Sequence, residues 1–168
     1  MWWSEPRLAR RPVLALAGLG LLAGCGFRLR GATSLPFRSL RLGFDPLSPM
    51  GQELRRQLAA VPDLRLVDDP RQAEAVFEVL EDGFQRGVGS RTSAGQIREL
   101  TLQLRLRFRL RRSDGELWLD ETQLSLNQAM SYNETASLAK ESEEAQLLRS
   151  MREDIAAQVI RRLAALQR

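Results

Sequence analysis

Apolar and polar residues alternate through the middle of the chain and predict long strands with one buried face. In the clearest run, residues 100–111, an apolar side chain recurs at every second position and polar side chains fill the positions between. Strict alternation is typical of a strand that packs one face on the core and turns the other to water. The apolar positions of this run are Leu100, Leu102, Leu104, Leu106, Phe108 and Leu110.

Three further strands are predicted at 37–44, 75–85 and 116–131. Between the first two, Leu64 and Leu66 indicate no more than the start of a short strand. Segment 83–95 holds four glycines and predicts either a hairpin loop or a bulged strand end. The sequence Ser-Asp-Gly at 113–115 predicts the turn between the last two strands.

Two segments show the three-and-four spacing of an amphipathic helix. The first covers about 49–61, with Ser48 as N-cap and Pro49 at the first helical position. The second covers 142–166, with Ser142 as its predicted cap. Its apolar stripe consists of Leu148, Met151, Ile155, Val159, Leu163 and Leu166.

The order of these elements, β-α-β-β-β-α, predicts an α+β fold. We expect two amphipathic helices packed on one face of a four-stranded mixed β-sheet, within a single domain over 37–168. The alternation leaves the other face of the sheet polar and rich in Arg.

The first 24 residues predict a secretory signal peptide that is removed from the protein. Three Arg residues precede an apolar run over 13–23, which is too short to span a bilayer but suits a signal peptide. The pair Arg10-Arg11 also fits a twin-arginine signal, but the residues around it favour an ordinary basic start.

The apolar run ends in Leu-Ala-Gly-Cys, which resembles the lipobox of bacterial lipoproteins. The resemblance implies that Cys25 becomes the new N-terminus and carries a thioether-linked diacylglycerol and an N-acyl chain. Several acyl chains hold a protein on a membrane where one is marginal. Residues 25–36 then form a lipidated tether, and Gly26 resembles the default signal for sorting to the outer membrane.

The composition excludes several kinds of chemistry. The chain has no His and a single Cys, which rules out a Ser-His-Asp triad, a His-ligated metal and an internal disulfide. No metal and no cofactor besides the covalent lipid is expected. Residues 1–24 hold three Arg and one Glu, so the net charge of +4 falls to +2 without them. Such a weak basic excess argues against nucleic-acid binding.

One row of Arg side chains is the candidate binding face. On a strand, Arg105, Arg107, Arg109 and Arg111 share one face, where like charges repel one another. No opposing row of acids is evident in the sequence, since Glu116, Asp120 and Glu121 oppose only some of the four. A solvated face is the simple alternative, while binding of phosphates, of carboxylates or of a polar protein cavity is the functional one.

Three short motifs together resemble the lipopolysaccharide-assembly lipoprotein family, LptE. A region after the fourth predicted strand and the last helix, with Met-Arg-Glu-Asp at 151–154, match it in order and type. The most specific of the motifs is Cys25-Gly26-Phe27-Arg28-Leu29-Arg30-Gly31.

The resemblance implies a role that is not enzymatic. Members plug the LptD β-barrel in the outer membrane, assist its assembly and bind lipopolysaccharide during its transport to the cell surface. By the same resemblance, the basic residue before the third predicted strand and the Lys after the fourth bind lipopolysaccharide, here Arg91 and Lys140.

Two alternatives stay open. An accessory subunit of the barrel-insertion machinery would share the anchor and the size. A lipid-anchored hydrolase would use Ser137 and Lys140 as a Ser-x-x-Lys pair, but the companion motifs of that chemistry are missing.

Overall fold

The computed structural model describes residues 34–133 and 137–166, and all of them belong to one compact unit. The predicted signal peptide 1–24, the lipidation site Cys25 and most of the tether 25–36 lie outside the described residues. The elements are β1 (Ser39–Leu42), α1 (Pro49–Leu58), β2 (Arg65–Leu66), a 3-10 turn (Pro70–Gln72), β3 (Ala75–Arg91), β4 (Ile97–Arg112), β5 (Leu117–Ser131) and α2 (Ser137–Ala164).

The sheet is mixed and has five strands in the order β2-β1-β3-β4-β5. The prediction of an α+β fold with two helices and a mixed sheet is confirmed, but the count of four strands is wrong. The additional strand is β2, whose two residues pair in parallel with β1 at Ser39 and Leu40. β1 is also parallel to β3, whereas β3, β4 and β5 form an antiparallel meander.

α1 begins as its sequence predicts. The Ser48 hydroxyl accepts a hydrogen bond from the Gly51 amide at 2.9 Å, and Pro49 takes the first helical position. The helix ends at Leu58, earlier than predicted. Gly51 is needed for packing, because a Cβ there would lie 2.6 Å from the Cβ of Phe44.

α2 begins at Ser137, so the prediction of Ser142 as its cap is wrong. Its 28 residues give it a length of about 42 Å. The helix packs against α1, where the Gln57 side-chain amide donates to the backbone carbonyl of Glu153 at 3.1 Å. Within the described residues, no helix is both long enough and apolar enough to cross a membrane.

Both helices bury their apolar stripes against the same face of the sheet. The apolar positions of the run at 100–111 are all buried, as the alternation predicts, while the Arg side chains between them are partly exposed. Three aromatic rings stack in the core. Their centroids are 5.6 Å apart for Phe44 and Phe77 and 4.6 Å apart for Phe77 and Phe108.

The hairpin of β3 and β4 is longer than the sequence predicts. β3 continues from Ala75 to Arg91 instead of ending at Gln85, and its register against β4 shifts at three places. The glycine-rich segment is therefore a bulged strand end, and residues 92–96 form the turn. The turn at 113–115 is also as predicted, since Gly115 takes the left-handed conformation with φ of 92°.

Candidate functional site

The Arg row on β4 lies on the sheet face opposite the helices and is matched by acidic side chains. Glu78 of β3 accepts hydrogen bonds from Arg109 and from Arg111, the latter at 3.2 Å. Glu81 lies 3.3 Å from the Arg105 guanidinium and 3.6 Å from that of Arg107. The expectation that no opposing row of acids exists is therefore wrong.

Glu121 of β5 adds a third acid, 3.2 Å from Arg107. The sequence suggests Glu116, Asp120 and Glu121 as acids that could oppose the row. Within the described residues only Glu121 contacts it. Of the other two in this part of the chain, Glu116 pairs with Arg112, and Asp120 contacts none of the four Arg side chains. Four guanidinium groups and three carboxylates leave this face with a small net charge. A binding role for it stays a prediction, now for a neutralised polar surface and not for a row of free cations.

A β-bulge explains how two acids from one strand reach the same row. Glu78 and Glu81 are three residues apart, so a regular strand would place them on opposite faces. The register shift between Val79 and Glu81 inserts one extra residue, and both acids then face odd-numbered residues of β4.

The Glu78 carboxyl has a pKa below its ordinary value of 4.5. Burial favours the neutral acid, but the hydrogen bonds from Arg109 and Arg111 and their charges outweigh it. Because the pKa is lower in the folded state, ionisation of Glu78 stabilises the fold above about pH 4.5, and this contribution is lost as the pH falls through the lowered pKa.

We predict that Glu78→Gln lowers the free energy of unfolding at pH 7 by about 1 kcal/mol, since it removes two partly exposed ion pairs. The difference from the wild type should shrink below pH 4.5, where the wild-type carboxyl also becomes neutral. Urea unfolding at a series of pH values measures it. Glu116→Gln is the matched control, because Glu116 is 70% exposed and lies 3.8 Å from Arg112. An equal response of both variants would contradict the assignment.

The structure brings Arg91 and Lys140 to the same end of the sheet. Arg91 is the last residue of β3, not a loop residue, and its guanidinium donates to the Gly95 carbonyl at 3.0 Å. Lys140 lies in the first turn of α2 and donates to Ser131 at the end of β5. Arg91 and Ser131, the residue that Lys140 contacts, lie two strands apart, roughly 10 Å across the sheet.

The two cations differ in how firmly they are held. The Lys140 ammonium makes 2.8 Å contacts to the Ser131 hydroxyl and the Glu143 carboxylate, and its side chain is 19% exposed. Arg91 is exposed and contacts no carboxylate within the described part of the chain. An anionic ligand would therefore meet Arg91 directly but would compete with Glu143 for Lys140.

A third cation at this end was missed by the sequence reasoning. Arg98 of β4 is exposed, and its guanidinium makes no hydrogen bond or ion pair with the residues that the structure describes. The alternating run that predicts β4 begins only at Leu100, so the sequence does not place Arg98 between the two other strands. The available sequence signal was its place two residues before the long alternating run.

A groove and the surroundings of Lys140 are the remaining polar features of the described residues. A shallow groove of about 410 Å³ crosses the polar face and is lined by Gln85, Arg86, Gly87, Thr101, Gln103 and Asn127. Within the described ranges, no group of three or more Asp, Glu, His or Cys side chains is placed to hold a metal. Lys140 is directed at Ser131 and Glu143, and the side chain of Ser137 lies outside the description.

Comparison with known proteins agrees with these observations. The model of the lipopolysaccharide-assembly family LptE matches residues 37–163. The chain is 32% identical to the LPS-assembly lipoprotein LptE of Pectobacterium atrosepticum over 155 residues, which cover 90% of this chain and 82% of the relative. It is 26% identical to the protein of the same name from Photorhabdus laumondii, over 93% of this chain and 87% of the relative.

Solved structures share the fold. Lipoprotein B of Nitrosomonas europaea superposes with a TM-score of 0.72 at 24% identity, covering 83% of this chain and 91% of that one. The rare lipoprotein B of Shewanella oneidensis gives 0.64 at 20% identity, covering 76% and 94%. The family match spans most of the chain and the relative from Pectobacterium is covered over most of its length, so the chain belongs to the lipopolysaccharide-assembly family LptE.

Proposed function

We propose that this protein is an outer-membrane lipoprotein that binds lipopolysaccharide and plugs the LptD β-barrel, whose assembly it assists. Membership of the lipopolysaccharide-assembly family is the observation that carries the proposal. In this proposal Cys25 holds the diacylglycerol and the N-acyl chain, which anchor the protein on the periplasmic side, and the folded domain lies in the barrel lumen.

The polar face of the sheet supports a place inside a barrel. Interiors of large outer-membrane barrels are polar, so an apolar or a strongly charged plug would fit them poorly. Here four Arg side chains are paired with Glu78, Glu81 and Glu121, and the groove beside them is lined mainly by uncharged polar residues. This face can lie against a polar wall without leaving a row of unpaired charges.

The three cations at the other end of the fold support lipopolysaccharide binding. Arg91, Arg98 and Lys140 come from three elements and lie at the end of the fold where the long hairpin turns and α2 begins. Guanidinium and ammonium groups are suited to phosphate oxygens, the first as a fork and the second as a point charge. Phosphates of lipid A and of the core sugars are the ligands that this chemistry would take.

Co-purification tests the plug. A tagged full-length chain, extracted from outer membranes in mild detergent, should be recovered in about equimolar amount with an LptD-like barrel, because a plug is enclosed by its partner. Mass spectrometry identifies the partner and its ratio. Recovery as a lone monomer would contradict the proposal, and recovery with the general barrel-insertion machinery would favour the accessory-subunit alternative.

A further inference from the structure

Most of β3 is an open edge of the sheet. β1 pairs with β3 only at Ala75, Val76 and Phe77, and in the described part of the chain no other strand lies on that side. From Glu81 to Val88 the strand runs against β4 without a register shift, so this stretch is regular. At about 3.4 Å per residue it offers a straight edge of roughly 25 Å.

The backbone groups that point outward can be identified. The Arg112 amide donates to Glu116 and the Arg98 carbonyl accepts from Tyr132, so even-numbered residues of β4 face β5 and odd-numbered ones face β3. The β3 residues opposite odd-numbered partners are Glu81, Gly83, Gln85 and Gly87. The residues between them therefore direct their N–H and C=O groups away from the sheet; these are Asp82, Phe84, Arg86 and Val88.

Charged and apolar side chains alternate among the four outward residues of this edge. Phe84 and Val88 are each 44% exposed although they lie on the helix side of the sheet, where α2 packs on β4 and β5. α2 reaches β3 at Arg86, whose guanidinium lies 3.1 Å from the Glu144 carboxylate.

Asp82 and Arg86 stand on the same side, two residues before and after Phe84. The Asp82 carboxylate accepts a hydrogen bond from the Ser48 hydroxyl. Each of the two charged groups therefore has one partner within the chain, and the Arg86 side chain is still 54% exposed. Natural edges are usually blunted by charge or by polar residues, but the middle of this edge is an exposed aromatic ring.

The opposite edge of the sheet differs in this respect. On β5, the residues that point outward are those paired with odd-numbered residues of β4, and they are Gln123, Ser125, Asn127 and Ala129. None of them is a large apolar or charged residue. The β5 edge therefore has no apolar centre, whereas the β3 edge offers both open backbone groups and an exposed ring.

We propose that the β3 edge at 82–88 binds an extended segment of a partner polypeptide, which adds to the sheet as an antiparallel strand. Backbone hydrogen bonds to Asp82, Phe84, Arg86 and Val88 supply the pairing, and alternate side chains supply selectivity. The segment carries an acidic residue opposite Arg86, where it shares the five guanidinium donors with Glu144. An apolar residue opposite Phe84 and a basic one opposite Asp82 follow, in that order from its N-terminus.

A second copy of this chain cannot pair along the whole of this edge. In an antiparallel pair centred on Phe84, residue 91 of the second copy would reach the position opposite Phe77, which β1 already occupies. The turn at 92–96 of that copy would follow directly and meet β1. A segment of about seven residues avoids this obstruction, so the occupant is a short extended stretch of another protein.

A designed peptide tests the proposal without a natural partner. The probe is fluorescein-labelled Thr-Glu-Thr-Val-Thr-Arg-Thr, titrated with the full chain in detergent and followed by fluorescence anisotropy. It should bind at least about tenfold more tightly than the charge-reversed peptide Thr-Arg-Thr-Val-Thr-Glu-Thr, which has the same composition. Equal binding of the two peptides, or no binding of either up to about 1 mM, would overturn the proposal.

Two variants separate pairing from folding. Phe84→Pro removes an outward N–H and leaves the ladder to β4 intact, so peptide binding should fall at least about tenfold, whereas Asn127→Pro on the β5 edge should not change it.

Arg86→Asp should reverse the preference in favour of Thr-Lys-Thr-Val-Thr-Arg-Thr, a result that an unfolded variant cannot give. Unchanged selectivity would exclude this edge. Neither lipopolysaccharide nor a barrel is used, so failure here leaves the proposed function standing.

Discussion

Replacing Phe77 by Ala is expected to lower the free energy of unfolding by about 3–5 kcal/mol. Phe77 is fully buried and lies between two other rings, at 5.6 Å from Phe44 and 4.6 Å from Phe108. Its loss would leave a cavity next to β1, and the Gly43 amide directly after β1 donates to the Phe77 carbonyl at 2.8 Å. Urea unfolding followed by the fluorescence of Trp118 measures the change.

Phe84→Ala is the matched control, since it removes the same side chain from the same strand. Phe84 is 44% exposed, so the loss should be about 1 kcal/mol. If Phe77→Ala proved no more destabilising than Phe84→Ala, the ring stack could not be the centre of the core.

The second large effect is expected at the cationic end of the fold. The double variant Arg91→Asp with Lys140→Asp should weaken binding to purified lipopolysaccharide roughly tenfold to hundredfold, because each substitution replaces an attraction to phosphate by a repulsion. The affinity of the wild type should fall as salt is raised, and that of the variant should depend on salt much less. Titration at two salt concentrations measures both.

A charge-matched control separates this site from net charge. Arg161→Asp with Arg162→Asp changes the charge by the same amount at the other end of α2, and both residues are exposed. It should leave the affinity nearly unchanged. Glu143→Gln should strengthen binding, because it frees Lys140 from its 2.8 Å contact. Equal loss in the two double variants would show that binding follows net charge and would remove Arg91 and Lys140 from the site.

The long periodic segments could be predicted from sequence, because many residues repeat the same signal. The alternation at 100–111 and the helical stripe around Ile155 and Val159 each bury the face that the pattern indicates. β2 was beyond such reasoning, since two residues carry no period and Arg65–Leu66 becomes a strand only beside β1. The start of α2 was missed because Leu138 is the only large apolar residue of its first turn and is 81% exposed.

The candidate site also has residues that could be predicted from the sequence and residues that could not. Arg91 and Lys140 came from a family resemblance, and the structure adds that they lie at one end of the sheet and that Lys140 is already held by Glu143. The acids that match the Arg row could not be predicted, because the two-residue period of a regular strand places Glu78 and Glu81 on opposite faces. Their common face depends on one bulged residue, and a bulge leaves little trace in a sequence.

The arrangement of the elements also sets the order in which this chain can fold. β3, β4 and β5 follow one another through turns of five and four residues, so their pairing needs only local contacts. The apolar face of these strands is covered by α1, near the start of the domain, and by the part of α2 from Met151 to Leu163, near its end. A chain that emerges from its N-terminus can thus form the meander early, but its apolar face stays open until α2 is available. An exported protein of this design needs protection from aggregation during that interval, and truncation of even its last turns would leave the core uncovered.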